Sequence, residues 1–167
     1  MGGSSMSHRI VVGVDGSAHS IAALRWAMDD AITRKHAEVI AVLAWQMPLV
    51  SNPAAFDSEE LQSTYEKLLT ETVSDALVSP HVPVRTHVVS GDPIDVLLEA
   101  SRDAQLLVVG SRGRSPFAGL ILGSVSQACA ARAACPVVVV KQPGTEHDRD
   151  AAGVPAYVRS NFQVESA

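Results

Sequence analysis

Apolar positions along this chain follow two alternating periods. Short β-branched runs mark buried strands: Arg9–Asp15 (RIVVGVD), Glu38–Ala44 (EVIAVLA), Val84–Val89, Gln105–Gly110 (QLLVVG) and Pro136–Lys141 (PVVVVK). Runs of this kind, apolar on both faces, suit parallel strands covered on both sides. Between them the spacing changes to that of a helix. Ile21, Leu24, Met28, Ala31 and Ile32 predict a first helix near 18–34, with Ser17 as its N-cap. Leu61, Tyr65, Leu68, Leu69, Val73, Ala76 and Leu77 predict a second, capped by Asp57 or Ser58. Ile94, Leu97 and Leu98 predict a third, with Asp92 as cap and Pro93 at the first helical position. A fourth is expected near 124–134. The order β-α-β-α-β-α-β-α-β predicts an α/β fold with a parallel sheet and helices on both faces.

Three segments fall outside this alternation. Residues 1–7 read as a flexible N-terminus or a cloning remnant, and residues 143–167 as a C-terminal tail that changes to charged and turn-forming residues. The stretch Gln46–Asp57, with Pro48 and Pro53, is long for a connection in a compact α/β unit and has the length of a binding-site lid.

Composition narrows the function classes. The 167 residues are enough for one domain with a substantial core. Hydrophobic residues make up 47 % and aromatics 4 %, so Val, Ile, Leu and Ala fill that core. A net charge of −5 argues against general nucleic-acid binding, which requires a basic face. No apolar run has the length of a membrane span, and the N-terminus lacks the apolar stretch of a secretory signal. Cys129 and Cys135 read as small core residues in a reducing compartment, so a cytoplasmic protein is expected. The six histidines show no metal-ligand spacing. Ser20 and Ser111 have no His/Asp partners that would make a hydrolase triad.

The candidate chemistry lies in one glycine-rich stretch. Gly110-Ser-Arg-Gly113 begins where a strand ends, and Gly123-Ser124 stands where a helix begins. Gly110 and Gly113 are expected to permit positive φ and close backbone approach. Successive N–H groups in such a turn form an anion site, and the free N–H groups of the next helix add to it. Ser124 and Ser126 supply hydroxyls, and Arg112 and Arg114 are available cations. If the first and fourth strands are neighbours, Asp15 faces Gly110 across the switch point where ligands of open parallel sheets bind. A carboxylate there suits ribose hydroxyls or a magnesium ion on phosphate. Trp45 follows the second strand and is a core residue or a stacking surface.

These residues resemble the universal stress protein pattern, Gly-x-x-Gly, nine residues, then Gly-Ser or Gly-Thr. Here Gly110 and Gly113 are followed by the nine residues Arg114–Leu122 and then Gly123-Ser124. Ile10–Ser17 (IVVGVDGS), Val88–Pro93 (VVSGDP), Leu106–Gly113 (LLVVGSRG) and Cys135–Val140 (CPVVVV) are similar to the family as well, and the likeness covers 8–142. The resemblance implies strand order 3-2-1-4-5, a homodimer paired through strand 136–141, and ATP in the crevice, with AMP or cyclic AMP as related ligands. It implies that Asp15 meets the ribose or magnesium, that Gly13 and Val14 line the wall, and that the Ala44 backbone reads the adenine edge. Val109 and Gly110 flank the ribose, while Gly113, Gly123, Ser124, Val125 and Ser126 hold the phosphates. Arg112 and Arg114 occupy variable family positions. The expected role is a nucleotide-dependent stress or energy sensor read by a protein partner, not an enzyme, with at most slow hydrolysis because no base or arginine finger is evident. The alternatives are a slow adenine-nucleotide hydrolase or transferase using Asp15 and magnesium, and a nucleotide-free dimeric scaffold acting through its tail.

Overall fold

A computed structural model describes residues 8–47, 57–77, 82–113 and 122–142. Five strands alternate with four helices: β1 (His8–Gly13), α1 (Ala18–Ile32), β2 (Ala37–Trp45), α2 (Ser58–Ala76), β3 (Val84–Ser90), α3 (Pro93–Ala100), β4 (Leu106–Gly110), α4 (Ser124–Arg132) and β5 (Val137–Val140). All strands are parallel and lie in the order β3-β2-β1-β4-β5, as the sequence pattern and the resemblance imply.

The twofold alternation of strand side chains divides the core into two layers. Ile10, Val12, Leu43, Trp45 and Val108 face α1 and α2, whereas Val11, Val42, Leu107 and Val109 face α3 and α4. Residues 10–12 of β1 and 106–109 of β4 are buried and apolar without a break because both faces of these strands are covered. Edge strand β3 is largely exposed, and β5 is half-buried.

Local caps fix where three helices begin. The Ser17 hydroxyl accepts from the Ser20 N–H at 3.2 Å. Asp57, the first of the two expected candidates, accepts from the Glu59 N–H at 2.8 Å. Asp92 accepts from the Ile94 N–H at 2.9 Å, with Pro93 opening α3. The fourth helix differs: its N-cap is Gly123, which has no capping side chain.

Several bounds differ from expectation. β1 stops at Gly13 because Asp15 folds the chain back, its Oδ1 accepting from the Ser17 N–H at 3.0 Å. α1 ends at Ile32, where Thr33 caps it. Most of the 46–57 connection, Arg114, and the tail 143–167 lie outside the described residues.

Candidate functional site

The crevice forms where β1 and β4 part. Their pairing ends at Val12↔Val108. Beyond it the N-terminus of α1 lies against Gly110, where an added Cβ would meet the His19 carbonyl carbon at 2.8 Å and the Ser20 nitrogen at 2.9 Å. No strand fills the space past this point, and a cavity of about 410 Å³ opens at the carboxyl ends of the strands. That volume lies within the range of small-ligand sites.

Twelve of the residues expected at the site line this cavity: Gly13, Val14, Asp15, Ala44, Val109, Gly110, Arg112, Gly113, Gly123, Ser124, Val125 and Ser126. Ser20, Val42, Pro93 and Leu97 complete the wall. Val42 was legible in principle, since it lies two residues before Ala44 and so faces the same side of β2. Pro93 and Leu97 are four apart on α3, one turn of one helix face. Ser20 carries no signal as a ligand residue by itself, and its place comes only from the turn that precedes it.

The two ends of the cavity differ. Val14, Val42, Ala44, Pro93, Leu97 and Val109 make an apolar end. There the backbone of β2 offers hydrogen bonds. In the β1–β2 ladder the even-numbered residues of β2 bond toward β1, and its last rung runs from the Val14 N–H to the Val42 carbonyl at 2.8 Å. Ala44, two residues on, therefore directs its N–H and carbonyl toward the crevice past the end of β1. Trp45 points to the opposite face, where it stacks on Tyr65 at 5.6 Å and donates from Nε1 to Gln62 at 2.7 Å. It is a core residue rather than a stacking surface for a ligand.

The other end is polar and lined with donors. Helices α1 and α4 begin there, so the positive ends of two helix dipoles converge. The first N–H groups of α4, at Ser124, Val125 and Ser126, have no acceptor within the helix, and Gly123 brings no side chain to cap them. Arg112 is an exposed cation on the rim. Burial holds the His19 imidazole below its usual pKa, Arg112 adds to that, and Asp15 opposes it.

Two expectations are corrected by this geometry. Neither Gly110 nor Gly113 adopts a positive φ; among the described residues the positive-φ glycines are Gly16 and Gly91. Gly110 makes the expected close approach, against the backbone of α1, and the Cβ of a residue at Gly113 would lie 2.7 Å from Asp15 Oδ2. The Ser126 hydroxyl is not aimed at a ligand: it is buried and sits 3.1 Å from the Ser111 carbonyl and 3.0 Å from the Gly123 carbonyl.

Fold and crevice together define an open, doubly wound α/β domain with a ligand site at its topological switch point. Residues 6–141 match the model of the universal stress protein family, and the chain belongs to that family. It is 37 % identical over 134 residues to Universal stress protein Rv2623 of Mycobacterium tuberculosis, and 40 % identical over 134 residues to Universal stress protein Mb2028c of Mycobacterium bovis. In both cases the match takes in 80 % of this chain and 45 % of the relative, so the chain spans about half the length of the curated relatives it matches. Among solved structures, a universal stress protein in complex with cAMP is 28 % identical with a TM-score of 0.56, covering 83 % of this chain and 99 % of that one.

Proposed function

We propose that this protein binds an adenine nucleotide in the crevice between β1 and β4 and acts as a nucleotide-dependent sensor, with ATP as the principal ligand and AMP or cyclic AMP as alternatives. One observation carries the reading: an apolar slot edged by the Ala44 N–H and carbonyl opens into a cluster of uncapped helix N–H groups beside Asp15 and Arg112. A donor and an acceptor side by side on one backbone edge suit the Watson–Crick edge of adenine. Backbone N–H groups at a helix start suit phosphate. The likeness to a structure holding cAMP supports the same ligand class.

Asp15 is the single carboxylate among the described residues that line the cavity, its Oδ1 accepts from the Ser17 N–H, and it would meet the ribose hydroxyls. No cluster of three His, Cys, Asp or Glu suited to a metal occurs among the described residues. A magnesium ion would enter only as a nucleotide complex, held by phosphate oxygens and water, and would supply charge neutralisation there. Among the described residues that line the cavity Asp15 is the one group suited to activate an attacking water, and we read the site as one that holds nucleotide rather than turning it over. The edge of β5, with half-buried Val137, Val138 and Val139, supports pairing with a second copy. Among the described residues no helix is long and apolar enough to cross a membrane, and both cysteines are free thiols, in keeping with a cytoplasmic setting.

Titration calorimetry of the full chain against ATP, AMP, cyclic AMP and GTP tests this reading. Binding of adenine ligands with weaker binding of GTP is expected, and no heat with any adenine ligand would exclude the proposal.

The charge at the polar end gives a pH dependence. His19 has a lowered pKa in the free protein, so it is largely neutral at neutral pH, and an anion beside it and Arg112 favours the protonated ring. Binding should therefore take up a proton and tighten as pH falls. Cyclic AMP, whose phosphate does not titrate in this range, should bind roughly two- to fivefold more tightly at pH 6 than at pH 8. The trend should vanish in His19→Gln; an equal slope in that variant would remove His19 as the cause.

A further inference from the structure

Two buried serines occupy matching places on opposite sides of the crevice. Ser20 is the third residue of α1 and Ser126 the third residue of α4, and they are 3 % and 1 % exposed. Each returns its hydroxyl to the carbonyl of its own helix cap: Ser20 Oγ donates to Ser17 at 2.9 Å, and Ser126 Oγ lies 3.0 Å from Gly123. A hydroxyl returned to the carbonyl three residues back is ordinary by itself; Ser101, the C-cap of α3, makes one toward Leu98. What sets Ser20 and Ser126 apart is a second contact with the chain just past the end of the strand before the helix. Ser20 Oγ accepts from the Asp15 N–H at 3.3 Å, and Ser126 Oγ lies 3.1 Å from the Ser111 carbonyl.

These second contacts act on different halves of the site. On the α1 side, Ser20 ties the Asp15 backbone to the helix start, while the Ser17 N–H holds the same residue's Oδ1. The direction of the Asp15 carboxylate is thereby set from both ends. On the α4 side, the Ser111 carbonyl takes the Gly123 N–H at 2.7 Å as well as the Ser126 contact. Ser111 in turn donates its N–H to Val140 of β5 at 2.7 Å. The start of α4, with its uncapped N–H groups, is thus fastened to the end of β4 and to the sheet before any ligand arrives. A site whose donors are held in place beforehand does not lose affinity to ordering them on binding.

We infer that Ser20 and Ser126 are a matched pair of positioning residues, Ser20 setting the ribose side of the site and Ser126 the phosphate side. The inference rests on the adenine-nucleotide reading above and assigns the selectivity of each half to a hydroxyl that need not touch the ligand.

The test uses ligands that differ by one group. Dissociation constants of the full chain and of Ser20→Ala, Ser126→Ala and the double variant are measured for adenosine, 2′-deoxyadenosine and AMP. Ser126→Ala should reduce the preference for AMP over adenosine by about fivefold or more and leave the preference for adenosine over 2′-deoxyadenosine within about twofold. Ser20→Ala should do the reverse. In the double variant both preferences should fall. A general loss of structure would weaken all three ligands alike, and that result, or unchanged ratios, overturns the assignment. If an alanine variant does not fold, the near-isosteric Ser126→Cys or Ser20→Cys, with only a weak donor, reads the same ratios. A wild-type chain that binds no adenine ligand overturns the function proposal and this one with it; wild-type binding with unshifted ratios overturns this one alone.

Discussion

Replacing Gly110 by alanine is expected to lower the stability of the fold by about 3 kcal/mol, a fall of roughly 6–12 °C in melting temperature for a domain of this size. The added Cβ would stand 2.8 Å from the carbonyl carbon of His19, 2.9 Å from its oxygen and 2.9 Å from the Ser20 nitrogen. All three are backbone atoms in the first turn of α1, which is capped by Ser17 and packs against β4 and β5. A side chain could swing aside, but a capped helix terminus cannot without opening its packing. Thermal unfolding of Gly110→Ala followed by circular dichroism measures the effect. A melting temperature equal to that of the wild type would show that α1 does not approach β4 this closely. The result bears on function because this same contact keeps the two strands apart at the mouth of the crevice.

Gly113→Ala should have the opposite profile: adenine-nucleotide affinity reduced by about 10- to 100-fold, with a melting temperature within about 3 °C of the wild type. Its Cβ would lie 2.7 Å from Asp15 Oδ2, and among the described residues away from it in sequence the next atom is Asp15 Cγ at 3.9 Å. The obstacle is one carboxylate oxygen, so the fold can yield. Asp15 cannot yield freely, because its Oδ1 is held by the Ser17 N–H at 3.0 Å. Alanine therefore either turns the carboxylate out of place or pushes the start of the 113–123 segment away from it. Calorimetric titration and thermal unfolding of the two glycine variants separate the roles: Gly110 for folding, Gly113 for binding. Wild-type affinity in Gly113→Ala would mean that Asp15 does not meet the ligand.

The glycine-rich stretch shows how far the pattern of residues reaches. Spacing and position at a strand end identified Gly110, Gly113 and Gly123 as members of one crevice, and all three line it. Of the two reasons expected for the glycines, close backbone approach holds at Gly110 and positive φ at neither Gly110 nor Gly113. What was not legible is the neighbour each one meets, the backbone of α1 for Gly110 and the carboxylate of Asp15 for Gly113. Ser20 and Ser126 make the same point. One entered the sequence reading only as a nucleophile without partners and the other as a phosphate ligand, and the structure gives both a different task. The hydrogen bond from Ser126 to Ser111 spans fifteen residues, a contact that no local pattern announces.

Element type and order depended on the sequence alone, because hydrophobic patterning is a local property: unbroken apolar runs in β1, β2 and β4, helical spacing in α1 and α2, and caps at Ser17, Asp57 and Asp92 that act within one turn. The family pattern then implied the strand order. Tertiary structure decided which atoms meet. It turned Trp45 away from the crevice onto Tyr65, brought Val42, Pro93 and Leu97 into the wall, and set Asp15 against Gly113. The physical reason is the same in each case. Periodicity tells a side chain which face it lies on, but the neighbour across that face comes from a segment tens of residues away, and only the packed sheet brings the two into contact.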